Sequence, residues 1–499
     1  MVNSRAGHYW QVLAELESTA AALPDQEEFS EEGIELSDAS RRRFLSLMAG
    51  SLALAGLTGC TRQPTETIMP YVDPPENAVP GRPKYYATAV PANGGAQGVV
   101  VESHLGRPTK VEGNPGHPGS LGASSVHSQA CLMDLYDPDR AKEISYLGEV
   151  RAWEDFQIAW NSAVSPLRTR GGEGLRILSE TVVSPTLGNQ IRAVLKAFPK
   201  AKWHQFDPAG AHSSRSSTFS AFGKSVHTFY NFAEAGVVLA LDSDFLACGP
   251  ASTRYARDFA DRRRRGNRLD MNRLYAVEST MTATGGKADH RLALRYRDVE
   301  VFARELVAAL GRSGASEQGN TPHAKLIQAV ANDLKSHAGA SIVIPGEYQT
   351  PALHSLAHAM NTMLGNIGKT VIYSDSVEVE PVDQIESLRQ LNSDMNAGQV
   401  ELLLILGGNP VYNAPADFAF AQGLQKVKNS IHASLHFNET SLKTSWQIPE
   451  SHFLEEWGER SRLRRYSQHP AAANCAALRH AIASYCTRCN LAIPGTFLL

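Results

Sequence analysis

The sequence predicts an α/β fold of doubly wound parallel sheets, preceded by a small β-rich N-terminal domain. From about residue 150 onward, short apolar runs alternate with helical periods, which is the pattern of buried parallel strands and their crossover helices. Before that point, Pro- and Gly-rich turns separate short β-like segments. The chain has 499 residues, 42% of them hydrophobic, which is enough for roughly two to four domains with a sizeable core.

Composition and charge exclude several classes of protein. The composition is not that of collagen, a coiled coil, a wholly disordered chain or a multi-span membrane protein. A formal net charge of −3 argues against nucleic acid as the main partner, because nucleic acid requires a basic face. The charge is nevertheless segregated: residues 1–39 carry nine acidic side chains and one base, whereas residues 460–499 carry six arginines and no acid.

Residues 1–60 combine an acidic lead with the pattern of an export signal. Arg41, Arg42 and Arg43 precede an apolar run that ends in Leu-Thr-Gly-Cys at Cys60. The run is shorter than the roughly 20 residues that span a bilayer, and it fits the apolar part of a signal peptide. We predict a twin-arginine export signal, with Cys60 as a lipidation site. A buried helix with an exposed basic start is the alternative.

Residues 61–150 form the predicted β-rich domain. A β-like segment covers 84–89, and the segments 98–103 and 109–112 flank Gly106-Arg107-Pro108 as a hairpin. The Gly- and Pro-rich stretch 113–118 then forces turns.

Residues 151–459 form the predicted α/β region. Its buried strands are bounded by Gly, Asp or Pro and cover 175–178, 203–206, 237–241, 274–277, 342–344, 371–373 and 402–406. Helical periods between them cover 186–197, 301–310, 353–364 and 384–395.

Polar residues and glycines follow several of these strands. Ligands of open parallel sheets collect at the carboxyl ends of the strands, so these positions are candidates to face a cofactor. The candidates are Ser179, Glu180, Thr181, Asp242, Asp244, Glu278, Ser279, Thr280, Gly346, Gly407 and Asn409. The alternative is that turns need such residues in any case.

The familiar catalytic and metal-binding motifs are absent from the sequence. It contains no P-loop, no G-x-G-x-x-G after a first strand, no H-E-x-x-H and no G-x-S-x-G, and we assign no catalytic residue. Cys131 and Cys248 are far apart and have no metal-ligand spacing, which predicts buried free thiols and no metal site.

Two motifs in the β-rich region resemble the opening of the molybdopterin oxidoreductase superfamily. They are Gly106-Arg107-Pro108-x-Lys110-Val111-Glu112-Gly113-Asn114-Pro115-x-His117-Pro118 and Tyr136-Asp137-Pro138-Asp139-Arg140. The chain is more closely similar to a divergent branch, the large iron–sulfur subunit of the quinol-oxidising alternative complex III. That branch shares the displaced twin-arginine segment and runs such as Ala288-Asp289-His290-Arg291 and Asn409-Pro410-Val411-Tyr412.

The departures from the superfamily concern its cofactors. Catalytic members hold a 4Fe–4S cluster with cysteines before the Gly-Arg-Pro turn and after the His-Pro turn, and clusters need thiolates. This chain has no cysteine between Tyr85 and Val111, nor directly after Pro118. For molybdenum, the only candidate ligands near the first strand end are Ser179 and Ser184. The resemblance therefore implies a molybdopterin-enzyme scaffold with no cofactor expected in this chain.

The resemblance extends to about Glu459 and then stops. The family continues with a ferredoxin-like region that carries the iron–sulfur clusters. Here residues 460–499 are acid-free and basic, with a lone Cys486-x-x-Cys489 pair. We interpret them as an aberrant or disordered tail on a truncated chain; a genuine short variant is the alternative.

The resemblance implies a structural or electron-transfer subunit of a membrane-attached, quinol-oxidising respiratory complex. Its expected partners are cytochrome c and integral membrane subunits, and its expected location is the periplasmic face of the inner membrane after twin-arginine export. One alternative is a periplasmic molybdopterin-dependent oxidoreductase that binds a bis-pterin cofactor. The other is an exported α/β protein that binds a small ligand.

Overall fold

The computed structural model describes residue 79 and residues 81–92, 95–249, 251–264, 271–311 and 322–456, with two short strands beyond them. The export signal at Arg41, Arg42 and Arg43, the lipidation site at Cys60 and nearly all of the basic tail lie outside the described residues. Among the described residues, no helix combines the length and hydrophobicity that a membrane crossing requires.

The helices and strands alternate along most of the described chain. The strands are β1 Lys84–Ala92, β2 Gly95–His104, β3 Arg107–Gly113, β4 Ser145–Tyr146, β5 Glu149–Val150, β6 Leu175–Ser179, β7 Lys202–Gln205, β8 Val226–Tyr230, β9 Val237–Leu241, β10 Arg273–Glu278, β11 His290–Ala293, β12 Ser341–Pro345, β13 Val371–Asp375, β14 Leu402–Leu406, β15 Asn429–Ser434, β16 Trp446–Pro449, β17 Arg460–Ser461 and β18 Ser467–Gln468. The α-helices are α1 Val126–Tyr136, α2 Trp153–Thr169, α3 Pro185–Ala197, α4 His212–Phe222, α5 Ser252–Arg264, α6 Tyr296–Gly311, α7 Ala324–Ser336, α8 Pro351–Met363, α9 Gln384–Asn396, α10 Pro410–Asn413 and α11 Phe420–Leu424.

The N-terminal part is an antiparallel sheet of β1, β2 and β3. The β2–β3 connection is Leu105-Gly106, and both residues have positive φ, as a type I′ hairpin turn requires. Val99, Val101 and Val111 are buried on one face of this sheet, against the side of α1. The predicted hairpin is therefore confirmed, with its strands somewhat longer than expected.

Two parallel sheets follow. The first sheet has the order β5-β4-β16-β15-β14-β6-β7, in which β16 to β7 run parallel and β4 and β5 form an antiparallel edge. The second sheet has the order β11-β10-β9-β12 and is parallel throughout. Helices α6, α7 and α8 cover one face of the second sheet, and every residue of β9 is buried. These sheets confirm the predicted doubly wound α/β class.

Local signals in the sequence explain where several helices begin. Ser184 accepts a hydrogen bond from the amide of Leu187 and precedes Pro185, so it caps α3. Thr350 caps α8 in the same way, and Asp383 caps α9 through the amide of Glu386. Ser184 and Thr350 lie on the loops that follow β6 and β12.

One predicted strand lies outside both parallel sheets. Residues 371–373 do form part of β13, but β13 pairs antiparallel with β8 in a separate two-stranded ribbon. Of its five residues only Val371 is fully buried, because a two-stranded ribbon has no neighbour on its outer edges. The predicted division of the chain at residues 60, 150 and 459 stays a prediction.

Candidate functional site

The carboxyl ends of β6 and β14 form a crevice in the first sheet. In the sheet β6 and β14 are neighbours. The chain continues from β6 to β7 on one side and from β14 to β15 on the other, so the connections after β6 and β14 leave in opposite directions. Such a switch point is where open α/β sheets bind ligands. The crevice is shallow and open to solvent. Its lining includes four predicted residues: Ser179, Glu180, Gly407 and Asn409.

Glycine backbone forms one wall of this first crevice. Gly407 and Gly408 both have φ near +70°, which side chains rarely allow. A Cβ atom on Gly408 would lie 3.3 Å from Cγ of Glu180, so the Glu180 side chain lies over bare backbone. Asn409 closes the end of the loop, because its Oδ1 accepts hydrogen bonds from the amide and hydroxyl of Thr440.

The ring of His432 hydrogen-bonds to the backbone of this glycine wall. It is fully buried, with Nε2 placed 3.1 Å from the carbonyl oxygen of Gly408 and Nδ1 placed 2.9 Å from Oγ of Ser441. Burial lowers the pKa of His432 to about 4, so the ring is neutral at pH 7. We did not predict His432 from the sequence; its only signal is a histidine within the short strand that follows the buried run 402–406 along the chain.

Ser179 and Thr181 are occupied by bonds within the chain. The Ser179 hydroxyl donates to the carbonyl oxygen of Glu180 and accepts from the indole nitrogen of Trp203. The Thr181 hydroxyl accepts from the side-chain amide of Gln384 at 2.9 Å. These two residues build the turn, which is the alternative that the sequence left open.

The donor atoms present do not fit a molybdenum ligand or an iron–sulfur cluster. Of the two candidate hydroxyls, that of Ser179 is hydrogen-bonded on both sides, and that of Ser184 caps α3. A 4Fe–4S cluster needs four thiolates, and the described residues contain only Cys131 and Cys248. Burial raises the pKa of Cys131 to about 12, so that residue is a thiol. Both cysteines are free thiols, but the prediction that they are buried is wrong for Cys248, which is exposed on the loop after β9, and Cys131 is only partly buried.

The loops that follow β9 and β12 meet at the carboxyl edge of the second sheet. These strands are neighbours, with β10 and β11 on the far side of β9, so this is the switch point of the second sheet. Asp242 has φ of 56°, and its Oδ1 accepts from the amide and hydroxyl of Ser279. A Cβ on Gly346 would lie 2.0 Å from the carbonyl oxygen of Asp242, so the two loops touch through backbone atoms.

The other predicted residues of the second sheet have internal partners or lie exposed. Asp244 accepts hydrogen bonds from the amide and hydroxyl of Thr284. Glu278 is buried and forms an ion pair with Arg291. Ser279 and Thr280 are exposed on the loop after β10. The predicted residues thus divide between the strand ends of two different sheets.

The architecture of two doubly wound sheets behind a small antiparallel sheet, together with two comparisons with known proteins, confirms the resemblance to the molybdopterin oxidoreductase superfamily. The chain is 24% identical over 404 residues to the menaquinone reductase, molybdopterin-binding-like subunit of Nitratidesulfovibrio vulgaris (strain Hildenborough). That match covers 72% of this chain and 57% of the relative, so the chain spans little more than half the relative's length.

A solved structure supports the fold independently. The structure of acetylene hydratase from Pelobacter acetylenicus matches with a TM-score of 0.55 at 12% identity. The match covers 77% of this chain and 66% of that one. At this identity the likeness concerns the fold alone. No protein-family model matches the chain.

Proposed function

We propose that this chain is the molybdopterin-binding-like scaffold subunit of a membrane-attached respiratory complex that exchanges electrons with a quinone. One observation carries the proposal: the first sheet keeps a switch point at the carboxyl ends of β6 and β14, yet the hydroxyls of Ser179 and Ser184, the candidate metal donors, are already bonded within the chain. The printed name of the curated relative, a subunit of menaquinone reductase, supports the same function.

The finer part of the proposal concerns the location and the partners. Arg41, Arg42 and Arg43 would direct export by the twin-arginine route, and a lipid on Cys60 would hold the chain at the periplasmic face of the inner membrane. A single acyl chain anchors only marginally, so a second attachment is needed. Integral membrane subunits and a cytochrome c, as in alternative complex III, would supply it.

In this function the chain's own residues act through ion pairs and hydrogen bonds that fix the conformation of its surface loops. Arg140 forms a two-pronged ion pair with Glu455, which ties the segment after α1 to the segment after β16. His432 and Thr440 hold the glycine wall of the first crevice in one conformation. A rigid scaffold of this kind presents fixed loops to neighbouring subunits.

Purification of the tagged full-length chain from membranes of its own host tests the proposal. We expect it to co-purify with membrane subunits, to contain less than stoichiometric molybdenum, and to carry quinone-dependent activity only as part of the complex. The matched control replaces Arg41 and Arg42 by lysine, which keeps the charge and should prevent arrival at the membrane. Recovery of the wild-type chain as a monomer without partners would contradict the proposal.

The molybdopterin-dependent enzyme remains the second candidate, because the first crevice is open at a switch point. Stoichiometric molybdenum in the purified chain, together with pterin fluorescence after oxidative release, would establish this enzyme and refute the scaffold.

A further inference from the structure

Two connections join the parallel sheets, and they pair with each other. Along the described residues the chain leaves the first sheet after β7, passes through α4 and β8, and enters the second sheet at β9. It leaves the second sheet after β12, passes through α8, β13 and α9, and returns to the first sheet at β14. β8 and β13 form the antiparallel ribbon, and α4 contacts both β8 and α8. We call α4, β8, α8 and β13 together the connector.

Aromatic rings fill the space between α4, α8 and β13. Phe222, the last residue of α4, packs against His358 of α8 and Tyr373 of β13, with ring centroids 5.7 and 4.8 Å away. Nδ1 of His358 lies 2.8 Å from the hydroxyl oxygen of Tyr373. His354 lies one turn before His358 on the same face of α8, and both histidines are buried. His358 is thus enclosed by the contact between the two connections, and His354 lies beside it.

Neither of these histidines has partners for two N–H donors. Nε2 of His354 and Nε2 of His358 have no hydrogen-bond partner, and a protonated histidine carries a hydrogen on both ring nitrogens. Backbone groups of Gly346 and Glu347 favour the charged form of His354, whereas a charge on His358 would oppose it. Burial outweighs these groups and lowers the pKa of each histidine to about 4. Both rings are therefore neutral at pH 7, and an open connector would let them take up protons.

A third histidine of the connector lies beside a buried ion pair. Arg215 of α4 donates to Glu378, which follows β13, at 2.7 Å, and both side chains are 6% exposed. Nε and Nη1 of Arg215 have no partner, so this pair already has donors in excess. His227 of β8 lies 3.3 Å from the hydroxyl of Ser376 through Nε2. Burial lowers the pKa of His227; the charge of Glu378 opposes this effect and that of Arg215 adds to it.

His212, at the start of α4, differs from these three histidines. Burial and the charge of Arg215 lower its pKa, but Asp207 and Asp383 favour its charged form. Its protonation is therefore partly compensated by nearby acids. For this reason we assign the response to acid to the other three histidines of the connector.

We propose that the connector is an acid-sensitive joint, in which protonation of His227, His354 and His358 separates α4 and the ribbon from α8 while both parallel sheets stay folded. Each added proton would place a charge where burial penalises it, and opening of the connector removes that penalty. The central strands β9 and β14 consist of apolar residues inside the cores of the two sheets, so no titrating group of their own loosens them. This inference does not depend on the quinone complex proposed above.

Hydrogen–deuterium exchange of the purified full-length chain at pH 7, 6 and 5 tests the joint. After correction for the intrinsic exchange rate, peptides that cover β8 and β13 should lose protection as the pH falls. Peptides that cover β9 and β14 should keep most of theirs. A histidine that titrates near 6.5 when open and near 4 when buried should lower the protection about fivefold to tenfold between pH 6 and pH 5.

Single substitutions assign this loss to the histidines. His354→Gln and His358→Gln should each reduce the pH-dependent loss of protection in β8 and β13 by about fivefold to tenfold, and His227→Gln should reduce it in the same direction. The matched control is His337→Gln, because His337 is partly exposed beside Asp333 and should leave the pH dependence unchanged.

The measured quantity is the ratio of protection at two pH values within one variant, so a variant that is less stable overall still reports on the joint. Far-UV circular dichroism at pH 7 verifies that each variant is folded. Equal loss of protection in β8, β9 and β14 would overturn the inference in favour of global acid unfolding. Constant protection of β8 and β13, or the wild-type pH dependence in His354→Gln and His358→Gln, would overturn it as well.

Discussion

Removal of the Asp394 carboxylate should destabilise the first sheet strongly. Asp394 lies on α9, and its Oδ2 accepts hydrogen bonds from Nε of Arg176 at 2.8 Å and Nζ of Lys202 at 3.0 Å. Arg176 is 5% exposed in β6, the strand that leads into the first crevice. In Asp394→Ala its guanidinium would remain buried without a counter-ion, because only the carbonyl oxygen of Leu175 stays as a partner.

The burial of the ion pair sets the expected loss of unfolding free energy in Asp394→Ala. Loss of one partner of a buried ion pair costs about 3–5 kcal/mol, whereas an exposed pair contributes about 1 kcal/mol or less. Lys202 is partly exposed and regains water, so most of the loss comes from Arg176. The matched control is Asp375→Ala, because Asp375 pairs with Lys224 and both side chains are about half exposed or more.

Urea unfolding at pH 7, monitored by tryptophan fluorescence, measures both variants. The replacement of the pair by apolar residues, Arg176→Met with Asp394→Leu, should recover much of the stability lost in Asp394→Ala. Burial raises the pKa of Asp394, but hydrogen bonds from Lys202 and Arg176 outweigh it and the net pKa is lowered. The stabilisation is thus present above the unfolded pKa and is lost as the pH falls through the lower folded value. A loss in Asp394→Ala no larger than in Asp375→Ala would refute the reasoning.

Three further predictions concern residues around the strand ends. Gly346→Ala should cost about 1–3 kcal/mol in urea unfolding, since its Cβ would meet backbone that no rotamer change can move; an unchanged midpoint would contradict the geometry. His432→Leu should lower the melting temperature, because the carbonyl oxygen of Gly408 and the hydroxyl of Ser441 lose a buried hydrogen-bond partner. His432→Gln should lower the melting temperature less, because its amide can still hydrogen-bond. Glu347→Gln should be more stable than wild type at pH 7 and equal to it near pH 4. Burial raises the pKa of Glu347 in the folded state, so the wild-type protein loses stability as the pH rises above the unfolded pKa. A difference in unfolding free energy that is the same at both pH values would exclude this cause.

Local sequence patterns were sufficient to predict the positions of strands whose residues are nearly all apolar. Residues 237–241 and 402–406 are uninterrupted hydrophobic runs, and both are central strands. β15 was missed because Asn429, Ser430, His432 and Ser434 make it polar, although β14 and β16 cover it on both sides. Its polar groups are tolerated because partners from other segments satisfy them, and no local window contains those partners.

The candidate site was predicted only in part, because strand ends can be located from local sequence but the order of the strands cannot. Glu180 and Gly407 were proposed because each follows a strand, and they meet because β6 and β14 are neighbours. The sequence did not reveal that Asp242 would join Ser279 and Gln349 in a different sheet, since this depends on strand order. Gln349 carried no signal, because a glutamine before a helix cap is ordinary.

The sequence by itself determined the class of the fold, the positions of the apolar strands, the β2–β3 hairpin and the motifs that resemble the superfamily. It did so because hydrophobic periodicity, capping and turn chemistry are local properties of the chain. Only the tertiary structure decided the order of the strands, the division of the strand-end residues between two sheets, and which polar groups have partners. Those features depend on contacts between segments far apart in the chain, such as Arg140 with Glu455 and Arg176 with Asp394.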